Sequence, residues 1–343
     1  MTGVARSPFP DGGLHHDALF YDHDTDHLDA VHEFVVAGRS AGEPVLVAVP
    51  GHRIPLVRRL LDPLDGVEIA DMAVIGHNPA TIIPTALCGL VRRFPGRRVR
   101  VLEESLWSGR RPAVYRHCVE HEAMINLGLA DQPLTARCLF DRSRLPDAAL
   151  ADAERTHPWL WSGGAARPSA GYRPPRAVLN QLARPLPPPP GDAVTVPIDA
   201  AGLGALRAAV AAAAEAAGLG GERVDDLRIT VTELASNALT HGTGPATARC
   251  WAAAGEVVCE VSGPGELGDP LAGRIPPTVA SIRGRGLLLV QRLSDLVDVR
   301  VVDGVTTVRA RLELPAGRAG GRVPAPRSAP DAAQGGFVRP ASR

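Results

Sequence analysis

The feature that most constrains the fold is an alternation of short apolar runs with longer amphipathic runs between Ala18 and Pro158. The apolar runs have the length of strands and the amphipathic runs have the length of helices, which is typical of repeated βα units. Parallel strands need such crossover helices, so the pattern predicts an α/β domain with a mainly parallel sheet. The predicted strands are Leu19–Tyr21, Val45–Val49, Val67–Asp71, Val99–Glu103 and Thr135–Phe140. The predicted helices are Asp26–Ala41, Ile54–Leu61, Pro79–Arg93 and Ala113–Leu129, the first capped by Thr25 or Asp24.

Changes of composition divide the rest of the chain. Residues 162–192 are rich in proline and glycine, which favours an extended linker over a packed core. Residues 316–343 offer almost nothing apolar to bury and are predicted to be disordered. We therefore predict domains at 14–161 and 193–315, joined by the linker.

The second unit is predicted to be an α+β sandwich, because its strands follow one another in pairs instead of alternating with helices. This order favours helices layered on one face of a mixed sheet. After a first strand come the predicted helices Leu203–Ala217, Val224–Leu239 and Ile282–Leu293, and the strands Ala246–Ala254, Glu256–Val261, Val297–Val302 and Thr306–Leu314.

Charge and composition exclude several functions. The 37 basic residues balance 37 acidic residues, so no net field favours nucleic acid or an anionic membrane as a partner. All 37 basic residues are arginine, which excludes a Walker-type lysine loop and Schiff-base chemistry. The five cysteines show no CxxC spacing, so neither a disulfide framework nor a thiolate zinc site is indicated. With no predicted signal peptide or membrane span, we expect a cytoplasmic protein.

One helix of the second unit carries a candidate site. Glu233, Asn237 and His241 follow one another at intervals of four residues, which places them on one flank of Val224–Leu239 and its extension. An amide oxygen suits Mg²⁺, and a carboxylate one turn earlier could orient or deprotonate an attacking hydroxyl. A polar flank of this kind is also typical of an ordinary solvated helix face.

Two glycine-rich segments follow this helix. Gly263 and Gly265 come after the strand Glu256–Val261, and Gly284-Arg285-Gly286-Leu287 opens the last helix. Glycines at a helix N-terminus let backbone N–H groups approach a polyphosphate. The three elements in this order predict a nucleotide site.

The segment from Thr232 to Gly242, the Gly-Pro-Gly run and the Gly-Arg-Gly-Leu run together resemble the N, G1 and G2 boxes of the gyrase and histidine-kinase ATPase (GHKL) superfamily. Within it the sequence is most similar to anti-sigma factor serine kinases. The resemblance covers about 193–315 and implies a Bergerat-type ATP site. It implies Asn237 as the Mg²⁺ ligand and Glu233 as the catalytic carboxylate. It further implies that the cofactor is bound by Asn237, His241, Gly263, Gly265, Gly284, Arg285, Gly286 and Leu287.

The resemblance implies phosphorylation of a serine or threonine on an anti-sigma factor antagonist, or sequestration of a sigma factor, and dimerisation as in relatives. One position departs from it. The family's aspartate that accepts the adenine amino group is replaced, on the sequence, by Gly263. A lost hydrogen bond to a charged acceptor costs about 1.5–3 kcal/mol. Two alternatives therefore stay open: an interaction module without nucleotide, and a sensor histidine kinase, against which the absence of histidine from residues 185–217 argues.

The first unit resembles the MEDS sensory domain, through the segments His15–Tyr21, Gly42–Ala48 and His121–Asn126. This resemblance implies a RecA-like α/β fold that senses an unidentified small molecule. From the residues alone, His121 and Glu122 are expected on the surface of an amphipathic helix, and Cys138 is expected to be an inert core thiol.

Overall fold

The computed structural model describes residues 12–62, 66–277 and 284–315. The predicted fold class is confirmed, with one α/β unit and one α+β unit. The first unit has a seven-stranded sheet in the order β3-β2-β4-β5-β1-β6-β7, parallel except for the last pair. Its strands are β1 His15–Tyr21, β2 Val45–Val49, β3 Val67–Asp71, β4 Val99–Glu103, β5 Leu134–Asp141, β6 Trp159–Ser162 and β7 Ala165–Pro168.

Helices cover both faces of this sheet, as the βα pattern requires. The helices of the first unit are α1 Asp24–Ser40, α2 Ile54–Leu61, α3 Met72–Ile75, α4 Cys88–Arg93, α5 Tyr115–Gly128, α6 Asp147–Thr156 and α7 Pro175–Leu182. Phe34 of α1 and Val57 of α2 pack on one face, and Leu90 of α4 and Ile125 of α5 pack on the other.

Two local predictions differ from the structure. The predicted helix Pro79–Arg93 is broken into a 3₁₀ turn at Pro79–Thr81, a π turn at Ile83–Leu87 and α4, with Pro84 inside the π turn. Proline cannot donate a helix hydrogen bond, and a π turn is one way in which a chain absorbs that loss. The N-cap of α1 is His23, not Thr25 or Asp24, because Asp26 accepts the backbone N–H of His23 (3.0 Å).

The predicted linker is structured in its first half. The antiparallel pair β6 and β7 extends the first sheet, and α7 packs against α5 through the buried Val178. The prolines of this segment favour a linker in the sequence. However, the proline at the start of α7 lies in the first turn, where a helix tolerates it.

The second unit has a five-stranded sheet in the order β11-β12-β10-β9-β8, covered on one face by helices. Its strands are β8 Val194–Ile198, β9 Ala246–Ala253, β10 Glu256–Pro264, β11 Leu296–Val302 and β12 Val305–Glu313, and its helices are α8 Leu203–Ala216, α9 Glu222–His241 and α10 Gly286–Leu293. The residues predicted to start the last helix at Ile282 lie outside the described residues, as does the predicted disordered tail.

All four pairings of this sheet are antiparallel, whereas the sequence predicts a mixed sheet. The connection through α10 does make β10 and β11 run in the same direction. However, β12 returns between them and pairs with both, so no parallel pair forms.

The two units contact each other through α5 and β11. Glu120 of α5 lies 3.4 Å from a guanidinium nitrogen of Arg300, and His117 lies 3.5 Å from a carboxylate oxygen of Asp298. Asn78 donates to the backbone oxygen of Gln291 at the end of α10 (2.8 Å). These contacts are polar and buried, so matched charges and hydrogen bonds contribute to the docking of the units, together with apolar contacts of Leu271 and Ile275. Within the described part of the chain, no helix is both long and apolar enough to cross a bilayer.

Candidate functional site

A cavity of about 550 Å³ opens in the second unit between α9, the end of β10 and the start of α10. This volume is typical of a small-molecule site, and so is a mainly apolar wall with a few polar groups. The apolar wall includes Leu234, Ala238, Val261, Leu271, Ile275, Leu287 and Val308, and the polar groups include Asn237, His241, Glu266, Asp269 and Thr306.

The structure brings most of the predicted site residues to this cavity. The predicted residues in its wall are Asn237, His241, Gly263, Gly265, Gly284, Gly286 and Leu287. Glu233 and Arg285 are not in the wall, although Glu233 lies directly beside Gly286. Their functional roles remain predictions.

Helix α9 presents its polar flank because its other side is fixed in the core. Val224, Leu227, Val231 and Leu234 are buried at helical spacing against the sheet. At its end, Gly242 donates to Ala238 O, and a Cβ at Gly242 would lie 2.3 Å from that oxygen. The helix must therefore end at a residue without a side chain, and the next residues turn toward β10.

At Gly286, the backbone of α10 comes close to two polar side chains of α9. A Cβ at Gly286 would lie 2.6 Å from Glu233 Oε2 and 3.4 Å from Asn237 Nδ2. Only a glycine leaves the backbone of α10 this near to the carboxylate and the amide. Across residues 12–62, 66–277 and 284–315, neither side chain makes a hydrogen bond within the protein, so both are available to a ligand. Hard oxygen donors of this type fit Mg²⁺, which binds through one or two protein oxygens plus phosphate and water.

Gly263 cannot be the position that a carboxylate would occupy. It lies inside β10, paired with Thr306, and a Cβ there would lie 2.8 Å from the Cβ of Ala246. The side chain on the same face two residues earlier is Val261, which is buried and lines the cavity. In the family, the aspartate lies two residues before a glycine. Two residues before Gly265 is Gly263, and two residues before Gly263 is Val261. The structure favours Val261 as the matching position. The cavity still lacks a carboxylate at this place.

The segment between Gly265 and Pro277, which we name the cover segment, closes one side of the cavity. Leu271 and Ile275 line the cavity and also pack against the core of the first unit. Arg274 between them is buried and lies 3.5 Å from a carboxylate oxygen of Glu120 on α5. Burial lowers the pKa of Arg274, with Glu120 opposing that shift. The cavity is therefore bounded on one side by a segment that the first unit holds.

The first unit contains polar side chains whose predicted exposure is wrong. His121 and Glu122 were expected on the surface, yet both are buried, because α5 lies between the sheet and other helices and has no exposed face over this length. Glu103 and Glu104 do point in opposite directions, as adjacent strand residues should. Glu103 accepts from His121 (2.9 Å) and Glu104 accepts from Tyr21 (2.9 Å).

The fold and the cavity define a two-domain protein in which a layered α+β domain carries a ligand-sized site. The profile of the MEDS family, the methanogen/methylotroph DcmR sensory domain, matches residues 15–158. The profile of the histidine kinase-like ATPase domain matches residues 196–312. The chain therefore combines a MEDS domain with a histidine kinase-like ATPase domain.

Among solved structures, the chain matches the crystal structure of the RsbU and RsbW domains of a Mycobacterium tuberculosis protein, with 18% sequence identity and a TM-score of 0.27. The match covers 36% of this chain and spans about a third (33%) of that chain. A comparison with curated proteins found no match.

Proposed function

We propose that the second domain binds Mg-ATP in the cavity and transfers the terminal phosphoryl group to a serine or threonine hydroxyl of a protein partner. The observation that supports this proposal is the close approach of α10 at Gly286 to Glu233 and Asn237, two side chains that have no hydrogen-bond partner in the described chain. The match to the histidine kinase-like ATPase profile supports the nucleotide part of the proposal.

Each residue would act through the chemistry of its own group. Asn237 Oδ1 is a neutral hard ligand for Mg²⁺, which would offset the charge of the phosphate oxygens. Glu233 is one helical turn away and could accept the proton of the attacking hydroxyl. Backbone N–H groups from Gly284 to Leu287 would face the phosphates, with no Cβ at Gly284 or Gly286 to separate them.

The base would lie against Val261, in the apolar part of the cavity. Without a carboxylate there, the site would hold the base mainly by apolar contact, and its preference for adenine would be weak. This is the observation that favours the alternative of an interaction module that binds no nucleotide. Val261→Asp tests this placement of the base. The variant should raise the ratio of ATP to GTP affinity, and Val261→Leu, the control, should not.

The partner and the setting follow from the family resemblance. An anti-sigma factor antagonist would be the phosphoryl acceptor, or a sigma factor would be held by the domain, and the protein would act in the cytoplasm as a dimer. The first domain would sense a small molecule and report it through the cover segment, since Glu120 contacts both Arg274 and Arg300.

The test is phosphoryl transfer from ATP labelled in its terminal phosphate, using the full chain and candidate antagonists from the same genome. We expect label on an antagonist as acid-stable phosphoserine or phosphothreonine, and none with Asn237→Ala. Acid-labile label on a histidine of the chain would indicate a histidine kinase instead. ATP binding without any transfer to antagonists would contradict the kinase assignment, and no ATP binding would leave the interaction module.

A further inference from the structure

The first domain holds a group of metal-ligating side chains that its proposed sensory role does not explain. His16 comes from β1, Glu122 from α5, Cys138 from β5, and His157 follows α6. Each is at most 3% exposed. Four separate elements of the fold thus deliver one side chain each to the same buried point.

The ligand atoms are spaced as they would be around one ion. Glu122 Oε2 lies 3.4 Å from His16 Nε2, 3.5 Å from His157 Nε2 and 3.2 Å from Cys138 Sγ. His16 Nε2 lies 3.4 Å from Cys138 Sγ. Tetrahedral Zn²⁺ with bonds of about 2.0–2.3 Å requires neighbouring ligand atoms about 3.3–3.7 Å apart. Three of the measured separations lie in that range, the thiol-to-carboxylate separation of 3.2 Å is shorter than a sulfur–oxygen pair around one ion by about 0.4 Å, and all four ligand atoms lie within 4.8 Å of one another.

Hydrogen bonds outside the group fix the tautomers of both imidazoles. His157 Nδ1 lies 2.8 Å from the backbone oxygen of Ala153, which can only accept, so Nδ1 carries the proton. Asn126 donates its amide N–H to the backbone oxygens of Thr156 (2.7 Å) and Glu122 (3.2 Å), so its Oδ1 accepts from His16 Nδ1 (3.0 Å). In the neutral rings, both Nε2 atoms therefore direct a lone pair into the group.

With both rings neutral, the four side chains of this group offer more hydrogen-bond acceptors than donors. Ser105 donates to Glu122 Oε1, which leaves Oε2 directed at the two imidazoles. The thiol proton of Cys138 can serve one acceptor only, and within the described chain His157 Nε2 has no hydrogen-bond partner. Protonating one ring would let its Nε2–H donate to Glu122 Oε2, whereas protonating both would place two cations 4.2 Å apart between ring centroids. A divalent ion at this point would instead engage the lone pairs of both Nε2 atoms at once.

We propose that His16, Glu122, Cys138 and His157 bind one divalent transition-metal ion, with Zn²⁺ as the ion that this ligand set fits best. Two imidazole nitrogens, one carboxylate oxygen and one thiolate make a mixed tetrahedral set. The ion displaces the thiol proton of Cys138 to solvent, and its charge is balanced by the thiolate and the Glu122 carboxylate. Asn126 and Ala153 orient the two imidazoles through their Nδ1–H groups, as outer partners of metal ligands commonly do.

The site also has a route to the rest of the protein. Glu122 and Glu120 lie two residues apart on α5, and Glu120 contacts Arg274 of the cover segment. Loading or loss of the ion would therefore act on the helix that holds this segment.

The test is Co²⁺ titration of the full chain after treatment with a chelator. We expect one Co²⁺ per chain, with visible bands of a tetrahedral ion and a near-ultraviolet thiolate-to-cobalt band, all bleached by one equivalent of Zn²⁺. Cys138→Ser should lose the thiolate band, and Cys250→Ser, which changes a buried cysteine of the other domain, should retain it. His157→Gln should weaken Co²⁺ binding at least tenfold.

Three results would overturn the proposal. They are the absence of tetrahedral bands in the wild-type chain, persistence of the thiolate band in Cys138→Ser, and loss of that band in a folded Cys250→Ser. Where Cys138→Ser does not fold, X-ray absorption of the Zn²⁺-loaded wild-type chain decides. The proposal requires one sulfur neighbour at about 2.3 Å together with nitrogen or oxygen neighbours at about 2.0–2.1 Å, and a shell without sulfur would contradict it.

Discussion

The cavity of the second domain and the buried group of the first domain use similar residues in opposite ways. At the cavity, Asn237 of the wall and the neighbouring Glu233 come from one helix, are half-buried and make no hydrogen bond within the described chain. In the buried group, Glu122 accepts from Ser105 and contacts His16, His157 and Cys138, all from different elements. A carboxylate without protein partners is free for a ligand that enters from solvent, whereas one held by many buried partners is part of the core and can bind only an ion enclosed there.

The comparison is sharpest in a pair of matched substitutions. Glu122→Gln should lower the free energy of unfolding of the Zn²⁺-loaded chain by about 3–5 kcal/mol, because it removes a carboxylate that balances the charge of the buried ion. Glu233→Gln should change stability by about 0.5 kcal/mol or less and should slow phosphoryl transfer about a hundredfold or more. Urea unfolding and transfer from labelled ATP measure the two effects.

Ser236→Ala, on the same turn of α9, is the control for Glu233→Gln and should retain transfer. If Glu233→Gln destabilised the chain as much as Glu122→Gln does, the distinction between a free and a structural carboxylate would be wrong.

A smaller effect is expected at the contact between the domains. Glu120→Gln leaves Arg274 and Arg300 buried without their carboxylate, which costs about 1.5–3 kcal/mol for a charged hydrogen-bonding partner. The cover segment should then open more often, and amide exchange of residues 265–277 should be faster by about tenfold or more. Glu68→Gln, which breaks an exposed pair with Arg93, is the control and should leave exchange in this segment unchanged. Unchanged amide exchange in Glu120→Gln would contradict the claim that the first domain holds the cover segment of the cavity.

Within the cavity, a single methyl group tests how closely α10 approaches α9. Gly286→Ala places a Cβ 2.6 Å from Glu233 Oε2, so the carboxylate or the backbone must shift. The end of the Glu233 side chain can move away at little cost, but it then leaves its place beside Asn237, and we expect roughly a tenfold loss of Mg-ATP affinity. Gly268→Ala, whose Cβ would meet nothing within 4 Å, should bind as the wild type does. Equal Mg-ATP affinity of the two variants would show that Gly286 is not part of the nucleotide site.

The smallest effect is the pH dependence of stability that comes from one buried histidine, His117. His117 is buried between the domains beside Glu120, Asp298 and Arg116, and burial lowers its pKa below the ordinary 6.5, although Glu120 opposes the shift. The unfolded chain therefore binds the proton first as pH falls below 6.5, and stability from the neutral imidazole declines over that window.

One such proton contributes a slope of at most about 1.4 kcal/mol per pH unit. His117→Gln should reduce this slope between pH 6.5 and 5.5. A slope that survives His117→Gln would assign the pH dependence to other groups.

The sequence predicts most of the fold because periodicity is a local property. Val45–Val49, Val67–Asp71 and Ile54–Leu61 begin and end as predicted. The cavity was also predictable, since α9, the Gly-Pro-Gly turn and the start of α10 lie close together along the chain and each has a local signal.

The buried group was not predictable, because its ligands are 16 (Glu122 to Cys138) to 141 (His16 to His157) residues apart and follow no motif spacing. Whether Glu122 faces solvent or the core depends on what packs against α5, and no local pattern records that. Likewise, only the structure shows that a side chain at Gly263 would meet Ala246, whereas the side chain of Val261 has room in the cavity wall.

The most direct measurement is calorimetric titration of the full chain with ATP in the presence of Mg²⁺, repeated with Asn237→Ala. We expect the wild-type chain to bind about one nucleotide per chain in a Mg²⁺-dependent manner, and Asn237→Ala to lose that dependence. No binding by the wild-type chain, or binding that Asn237→Ala leaves unchanged, would contradict a nucleotide site at this cavity.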